Sequence, residues 1–168
     1  MTESSSDFVI RPATPEDAPA LLELIGDLAR YEKLEHQVIG SAAALAKDLG
    51  GHPPLIEAVV GERQRALVGF ALFFHNYSTF LTRPGIHLED LFVVPDYRGQ
   101  GLGRTLLRTV AQLAVERSAG RLEWNVLDWN TAAIGFYEKL GAELLDDWRT
   151  CRVTGEALGR MAGVNHPG

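Results

Sequence analysis

Hydrophobic positions form two kinds of block along the chain. Runs rich in β-branched and aromatic residues predict strands at residues 8–10, 55–60, 66–74, 86–94, 121–127 and 148–154. Pro12, two residues after the first run, predicts that this strand stops there. The polar residues 61–65 separate the second run from the third, so these two strands are expected to form a hairpin.

Apolar residues spaced three and four positions apart predict amphipathic helices over residues 14–29, 41–49, 102–114 and 130–140. Three of these helices begin at residues that favour capping, namely Thr14, Ser41 and Asn130. Strands interspersed with helices predict an α/β (α+β) layered fold. We expect one domain over residues 8–162, with residues 1–7 and 163–168 as flexible termini.

Composition narrows the class of protein. Apolar residues make up 46% of the 168 residues and charged residues 23%, which is a globular balance. The longest apolar run, residues 66–74, is far shorter than the ~18 residues of a membrane helix. No export signal opens the chain, and Cys151 is the single cysteine, so we expect a reducing, cytoplasmic location. We also expect Cys151 to be buried on a strand.

Charge and histidine spacing bear on partners. The chain has 22 acidic and 16 basic residues, a net charge of −6, which disfavours nucleic acid and mildly favours a cationic partner. The five histidines show no metal-ligand spacing, so no metal site is predicted.

The most informative segment is a glycine-rich turn between a predicted strand and a predicted helix, residues 93–104. Such a turn exposes backbone N–H groups at the positive end of a helix dipole, which suits a phosphate. The dinucleotide pattern G-x-G-x-x-G fails because Arg104 stands at its last position. The P-loop fails because three residues, not four, separate Gly99 from Gly103. A plain strand-to-helix turn remains an alternative.

The segment from Arg98 to Gly103 resembles the R/Q-x-x-G-x-G/A loop of the GNAT acetyltransferase superfamily, where it binds the pyrophosphate of acetyl-CoA. The resemblance extends from Phe8 to Met161. Within the superfamily, the chain resembles most specifically the spermidine/spermine (diamine) and thialysine N-acetyltransferase branch. Its most specific segments are residues 8–14, 28–32, 88–93, 128–130 and 136–137. It implies a mixed central sheet, splayed to hold acetyl-CoA and flanked by helices, and a homodimer.

The resemblance also implies roles for individual residues. Tyr137 corresponds to the general acid, and Glu89 to a carboxylate on the substrate side. Tyr31 and Glu32 correspond to a pair that contacts the amine. The residues expected to contact acetyl-CoA are Leu91, Phe92, Val93, Arg98, Gly99, Gln100, Gly101, Leu102, Gly103, Arg104 and Asn130. The sequence departs from the polyamine enzymes where Asp146 and Asp147 directly precede Trp148, which weakens the case for spermidine itself.

Acetyl transfer to a primary amine sets two chemical requirements. An alkylamine has a pKa near ~10.4, so deprotonation at pH 7 costs about 4.6 kcal/mol. A carboxylate can attract the cation and accept its proton, and Glu89 is the candidate. A leaving thiolate needs a neutral proton donor, which a tyrosine hydroxyl supplies, and Tyr137 is the candidate. Backbone N–H groups of residues 91–93 are candidates for stabilising the oxyanion.

Each assignment has a structural alternative. Tyr137 has the spacing of a core aromatic residue. Glu89 could be an ordinary strand charge that faces water, and residues 31–35 could be a solvated helix end. Asn130 is a helix cap in either case. The predicted function is direct transfer from acetyl-CoA to the primary amine of a small cationic molecule, either a polyamine or a thialysine- or lysine-like amine. The alternatives are a peptide or protein N-acetyltransferase and a non-catalytic acyl-CoA-binding sensor.

Overall fold

The computed structural model describes residues 7–164, and its contacts divide the chain into two compact units, one ending at Asn125 and the other beginning at Val126. The predicted termini lie largely outside the described residues. Asp7 is described, and its carboxylate accepts a hydrogen bond from Arg63 at 3.2 Å.

The first unit contains a sheet with helices on both faces. Its strands are β1 (Val9–Pro12), β2 (Glu57–Arg63), β3 (Ala66–Ser78), β4 (Arg83–Val93) and β5 (Leu122–Glu123). Its helices are α1 (Ala18–Tyr31), α2 (Ala42–Leu49) and α3 (Leu102–Glu116), with short 3-10 turns at Pro15–Asp17, Glu35–Gln37 and Pro95–Tyr97. The second unit contains α4 (Thr131–Lys139) and α5 (Gly155–Met161).

The sheet has the strand order β1-β2-β3-β4-β5. Neighbouring strands are antiparallel except β4 and β5, which are parallel, so the sheet is mixed. The predicted hairpin is confirmed, but its turn is only two residues long because Arg63 pairs with Ala66. Gln64 and Arg65 both have positive φ, 51° and 66°, as a type I′ turn requires.

Alternation along the strands gives the sheet two apolar faces. On one face, Leu21 and Leu24 of α1 pack with even-numbered strand residues, namely Ala58, Val60, Phe70, Leu72 and Phe92. On the other face, α3 buries the stripe Leu102, Leu106, Leu107, Val110 and Ala114. The two helices therefore cover opposite faces of the sheet, each through the apolar stripe that its 3.6-residue periodicity predicts.

Two contacts place α3 on the sheet. At its start, Leu102 lies over Gly61 and Gly69, which pair across β2 and β3. At its end, the Arg117 guanidinium donates two hydrogen bonds to the Glu57 carboxylate, at 2.6 and 2.9 Å. This ion pair holds the pKa of Glu57 below its usual value. Because Gly61 and Gly69 carry no side chains, the start of α3 can lie close to the sheet.

Strand β1 ends at Pro12, as predicted, and a proline is tolerated at this position because β1 is an edge strand. Other sequence predictions are wrong. The strand predicted at 121–127 is reduced to Leu122–Glu123. Residues 148–154 form no strand, since no other strand of the described chain pairs with them, and α5 follows where no helix was predicted. Trp148 is 78% exposed, and Cys151 is exposed rather than buried.

None of the helices within residues 7–164 combines the length and apolar character needed to cross a bilayer. Across the same residues, no group of three or more His, Cys, Asp or Glu side chains is arranged to hold a metal ion.

Candidate active site

The site in the first unit begins with an open edge of β4. This strand pairs with β3 along its whole length, up to Val93 opposite Gly69. Its other neighbour, β5, pairs only with Ile86 and His87. Within the first unit, residues 89–93 therefore have no strand partner on the side away from β3. Backbone N–H and C=O groups on such an edge are free to bind an extended ligand.

A β-bulge places Glu89 at the start of this edge. Leu72 pairs with Asp90 and Phe73 pairs with Leu88, which leaves Glu89 without an opposite residue. Its side chain is 55% exposed, and its carboxylate lies 3.6 Å from Nε2 of His87. The His87 ring in turn packs against Phe74, with 5.0 Å between ring centroids. The bulge interrupts the alternation of side chains along β4 at Glu89, and the regular pairing resumes at Asp90 opposite Leu72.

Asp90 turns towards the α1 face because its pairing partner, Leu72, belongs to the core on that face. Burial, reinforced by the negative charges of Glu89 and Glu32, raises the pKa of Asp90 to about 7. Burial also raises the pKa of Glu32. Three carboxylates therefore share one region where α1 ends and β4 bulges, and Asp90 holds a proton near neutral pH more readily than an ordinary aspartate.

The end of α1 is a tight reversal that presents Tyr31 and Glu32. Lys33 adopts a left-handed conformation with φ of 61°. The Leu34 N–H donates to the Ala29 carbonyl at 2.8 Å and the Lys33 N–H to that of Arg30 at 3.1 Å, which is a Schellman motif. Tyr31 is 41% exposed. The reversal caps the helix carbonyls, so this end of α1 has a defined shape.

The glycine-rich loop joins β4 to α3 through the turn Pro95–Tyr97. Gly99 and Gly101 have φ of 75° and 86°, and a side chain at either would meet open space. Among the described residues, the backbone N–H groups of residues 99–104 donate no hydrogen bond, and the first donor of the helix ladder is Thr105, to Gly101 at 3.0 Å. The Leu102 side chain is buried, so Leu102 offers a ligand only its backbone.

Two side chains of the loop, Arg98 and Gln100, form hydrogen bonds with the neighbouring strands. The Arg98 Nε–H donates to the Val93 carbonyl at 2.8 Å. On the other side, Arg63 donates to the Gln100 side chain at 3.2 Å and lies 5.7 Å from the Tyr97 ring centroid. Arg104 is exposed on the first turn of α3.

The open N–H groups, the positive-φ glycines and the free edge of β4 fit the two ends of acetyl-CoA, a pyrophosphate and an extended pantetheine arm. Leu91, Phe92 and Val93 contribute to that edge through their backbone, since the Phe92 side chain is in the core. The predicted residues of the first unit thus lie around one strand end. Tyr31, Glu32 and Glu89 lie there together with Asp90.

The second unit carries the remaining predicted residues. Asn130 caps α4, and its side chain accepts from the Ala133 N–H at 3.2 Å. Tyr137 lies on the last turns of α4 and is half-buried. Its ring packs against that of Phe136, with 5.4 Å between centroids. Helix α4 ends at Lys139, and Gly141 follows shortly after it with a φ of 92°.

Sequence reasoning missed three features of this site. Asp90 is not among the predicted site residues, because its burial depends on the bulge beside it. The bulge itself is a mismatch in register between β3 and β4. The pairing of Gly61 with Gly69 beneath α3 was also missed, although two glycines inside apolar strand runs are a signal of close approach.

Comparison with known proteins agrees with this geometry. The chain matches the acetyltransferase (GNAT) family over residues 21–142. It is 39% identical over 166 residues to a thialysine N-epsilon-acetyltransferase from Bos taurus, covering 92% of this chain and 97% of the relative. It is 33% identical over 201 residues to an L-ornithine N5-acetyltransferase from Arabidopsis thaliana, covering 93% of this chain and 88% of the relative.

A solved structure supports the fold. An integron cassette protein from the mobile metagenome of V. cholerae superimposes with a TM-score of 0.78 at 22% identity, covering 93% of this chain and 98% of the other. The sheet with flanking helices is thus the GNAT fold that the sequence resemblance implied. The matched family and the near-complete alignments to named N-acetyltransferases agree with the glycine loop and the open strand, so the chain belongs to the GNAT acetyltransferase family and is an acyltransferase.

Proposed function

We propose that this protein transfers the acetyl group of acetyl-CoA directly to the primary amine of a small cationic molecule. The observation that carries the proposal is the group of three carboxylates, Asp90, Glu89 and Glu32, where α1 ends and β4 bulges. Burial and the charges of the other two carboxylates raise the pKa of Asp90. A protonated amine placed there would relieve the repulsion among Asp90, Glu89 and Glu32.

The substrate class follows from size and charge. A molecule with one amine near Glu89 and further polar or charged groups towards Tyr31 and Glu32 would engage both ends of the region. Thialysine-like, lysine-like or ornithine-like amines and polyamines have this character. The two relatives described above are named for thialysine and ornithine, which favours an amino-acid side-chain amine over a polyamine.

Glu89 is the proposed proton acceptor. Its bulged position and exposed carboxylate allow it to take the amine proton directly or through one water. The neutral nitrogen then forms the C–N bond at the thioester carbon. Acetyl-CoA supplies the activated acetyl thioester, and the backbone N–H groups on the free edge of β4 are suited to stabilise charge on its carbonyl oxygen.

Tyr137 is the proposed proton donor. The bond from carbon to sulfur breaks as the phenolic proton passes to the departing sulfur. The nitrogen loses its second proton as the amide forms, and Tyr137 regains a proton directly or through solvent. The first amine proton passes from Glu89 to solvent, so the enzyme returns to its initial state. Acetylated amine and coenzyme A are the products.

A panel of amines tests the proposal. Purified protein is incubated with acetyl-CoA and, separately, thialysine, ornithine, lysine, spermidine and peptides with free N-termini, and coenzyme A release is measured. We expect turnover with at least one free small amine and little with peptides. Turnover only with peptides would indicate a peptide or protein N-acetyltransferase. Acetyl-CoA binding without turnover on any amine would indicate an acyl-CoA sensor.

We further propose a cytoplasmic homodimer without a metal or a nucleic-acid partner. The family resemblance supports the dimer, and the net charge of −6 and single cysteine support the location and the exclusion of nucleic acid. Sedimentation equilibrium checks the dimer, since a monomer at micromolar concentration would contradict it. Undiminished turnover after dialysis against a chelator is the result expected for a metal-free enzyme.

A further inference from the structure

The Arg98 side chain connects the glycine-rich loop to the end of α1. Its Nε–H is bonded to the Val93 carbonyl at 2.8 Å. Its guanidinium carbon lies 5.1 Å from the Tyr31 ring centroid and 5.4 Å from that of Phe92. One side chain thus contacts the loop's own strand, the core and the proposed amine-binding end of α1.

We propose that Arg98 is a positioning residue that transmits binding of the acetyl donor at the loop to Tyr31 and Glu32. This inference rests on the proposed function. It concerns the coupling between the loop that binds the acetyl donor and the region that binds the amine. This role is additional to the positive charge that Arg98 contributes to the loop.

The contacts around Arg98 differ in rigidity, which gives the coupling a direction. Phe92 is 4% exposed within the core, and Val93 is held in the sheet, so this side of the guanidinium has a firm base. Tyr31 is 41% exposed at the last helical position of α1, so its ring is much less enclosed than that of Phe92. Restricting Arg98 therefore restricts Tyr31 more than Phe92.

The movement of Tyr31 reaches the carboxylates through the backbone. Glu32 follows Tyr31 directly and caps α1, and the left-handed Lys33 closes the reversal behind it. The charge of Glu32 in turn acts on Asp90. Ordering residues 98–104 with a phosphate ligand would thus reduce the freedom of residues 29–34 before the amine arrives. Donor binding then raises amine affinity, and by linkage the amine raises donor affinity.

Hydrogen exchange of the full chain with coenzyme A as the only ligand tests this coupling without any acetyl transfer. In the wild type at saturating coenzyme A, we expect slower exchange of residues 97–104 and also of residues 29–34, by about threefold to tenfold at the second segment. In R98Q at saturating coenzyme A, we expect protection of residues 97–104 to persist and that of residues 29–34 to be lost. Circular dichroism and thermal unfolding verify that R98Q is folded.

Two Tyr31 variants make the test independent of R98Q. Y31L removes the ring and is expected to abolish protection of residues 29–34, whereas Y31F keeps the ring and should retain it. R104Q is the matched control, because it removes another guanidinium of the same loop. It is expected to weaken coenzyme A binding yet leave the transmission at saturation intact.

Several results would overturn the inference. Protection of residues 29–34 that persists in both R98Q and Y31L would show that Arg98 transmits nothing. Loss of loop protection in R98Q at every coenzyme A concentration would show that Arg98 only holds the ligand. In either case an amine panel that gives turnover leaves the proposed function standing. A wild-type protein that binds no coenzyme A would overturn both this inference and the proposed function.

Discussion

Leu102 rests directly on Gly61, so that a methyl group added at Gly61 would lie 2.6 Å from Leu102 Cδ1. A methyl group added at Gly69, the partner of Gly61 across the hairpin, would lie 3.1 Å from Leu102 Cδ2 and 3.0 Å from the Phe92 carbonyl oxygen. This pair of glycines lets the first turn of α3 approach the sheet. The position of the glycine-rich loop, which immediately precedes α3, therefore depends on residues about 35 positions away.

A G61A substitution should displace the start of α3. We expect a loss of about 1–3 kcal/mol in the free energy of unfolding, because the added methyl overpacks a filled site. We also expect weaker coenzyme A binding, measured by calorimetry. G26A is the matched control, since Gly26 lies in α1 with open space around it. That variant should be stabilised by about 0.5–1 kcal/mol. Unchanged coenzyme A affinity in a folded G61A would contradict the role assigned to the glycine pair.

Asp90 should make stability depend on pH. Folded Asp90 holds its proton up to about pH 7, whereas the unfolded residue loses it near 3.8. The folded state therefore binds more protons between these values, so this group lowers stability as the pH rises through that window. The slope is at most about 1.4 kcal/mol per pH unit. Urea unfolding of D90N should show a flatter profile than the wild type between about pH 5 and 7.

The exposed Glu23 of α1 provides the control for Asp90, and E23Q should follow the wild-type profile. Asp17 and Glu57 do not contribute to the profile between about pH 5 and 7, because their lowered pKa values affect stability only at more acidic pH. Parallel profiles for D90N and the wild type would show that Asp90 is an ordinary solvated acid.

Tyr137 should matter for the chemical step more than for binding. Y137F keeps the ring that packs against Phe136 but removes the hydroxyl. We expect kcat to fall by about 10²-fold or more on a good amine, with little change in KM for acetyl-CoA. Y77F, which removes a hydroxyl from an exposed strand tyrosine, should keep full activity. Equal rates for Y137F and the wild type across pH would exclude Tyr137 as the proton donor.

Arg11 and Asp17 form an ion pair at the N-terminal end of the fold, and Arg11 lies in a segment that resembles the family. The guanidinium donates to both Asp17 carboxylate oxygens, at 2.7 and 2.8 Å, and also to Glu62 at 3.1 Å. These bonds hold the pKa of Asp17 below its usual value. The stabilisation is present above about pH 4 and is lost as the pH falls through the folded pKa.

D17N should cost about 1–3 kcal/mol in urea unfolding at pH 7, because it removes the charge of the carboxylate that accepts two hydrogen bonds from the partly buried guanidinium and leaves Glu62 as the remaining charged acceptor. R11K retains the charge but loses the fork, so it should be intermediate or equally destabilised. Wild-type stability in D17N would indicate that the pair is a surface contact without energetic weight.

The turn between β2 and β3 offers a stabilising change. Gln64 and Arg65 occupy left-handed positions that Asn and Gly adopt at lower cost. Q64N/R65G should therefore raise the free energy of unfolding by about 1 kcal/mol or more. Q64A/R65A tests whether the gain comes from the backbone, since it removes both side chains without adding glycine and should give no gain. A Q64N/R65G protein less stable than the wild type would contradict the turn type.

The sequence alone predicted the elements that local pattern determines. Helices α1, α2, α3 and α4 begin within a few residues of their predicted starts, since capping residues and the 3.6-residue period act over one or two turns. The glycine loop was located in the same way, because its motif is contiguous. The sequence also carried enough similarity to indicate the family.

Only the tertiary structure decided features that depend on a distant partner. Residues 148–154 have strand-forming side chains but no neighbouring strand within residues 7–164, so they are irregular. The bulge at Glu89 arises from a register mismatch with β3, and it directs Asp90 into the region shared with Glu32. Burial and charge proximity raise a pKa through space, and cross-strand pairing joins residues far apart in the chain. A local pattern contains neither kind of information.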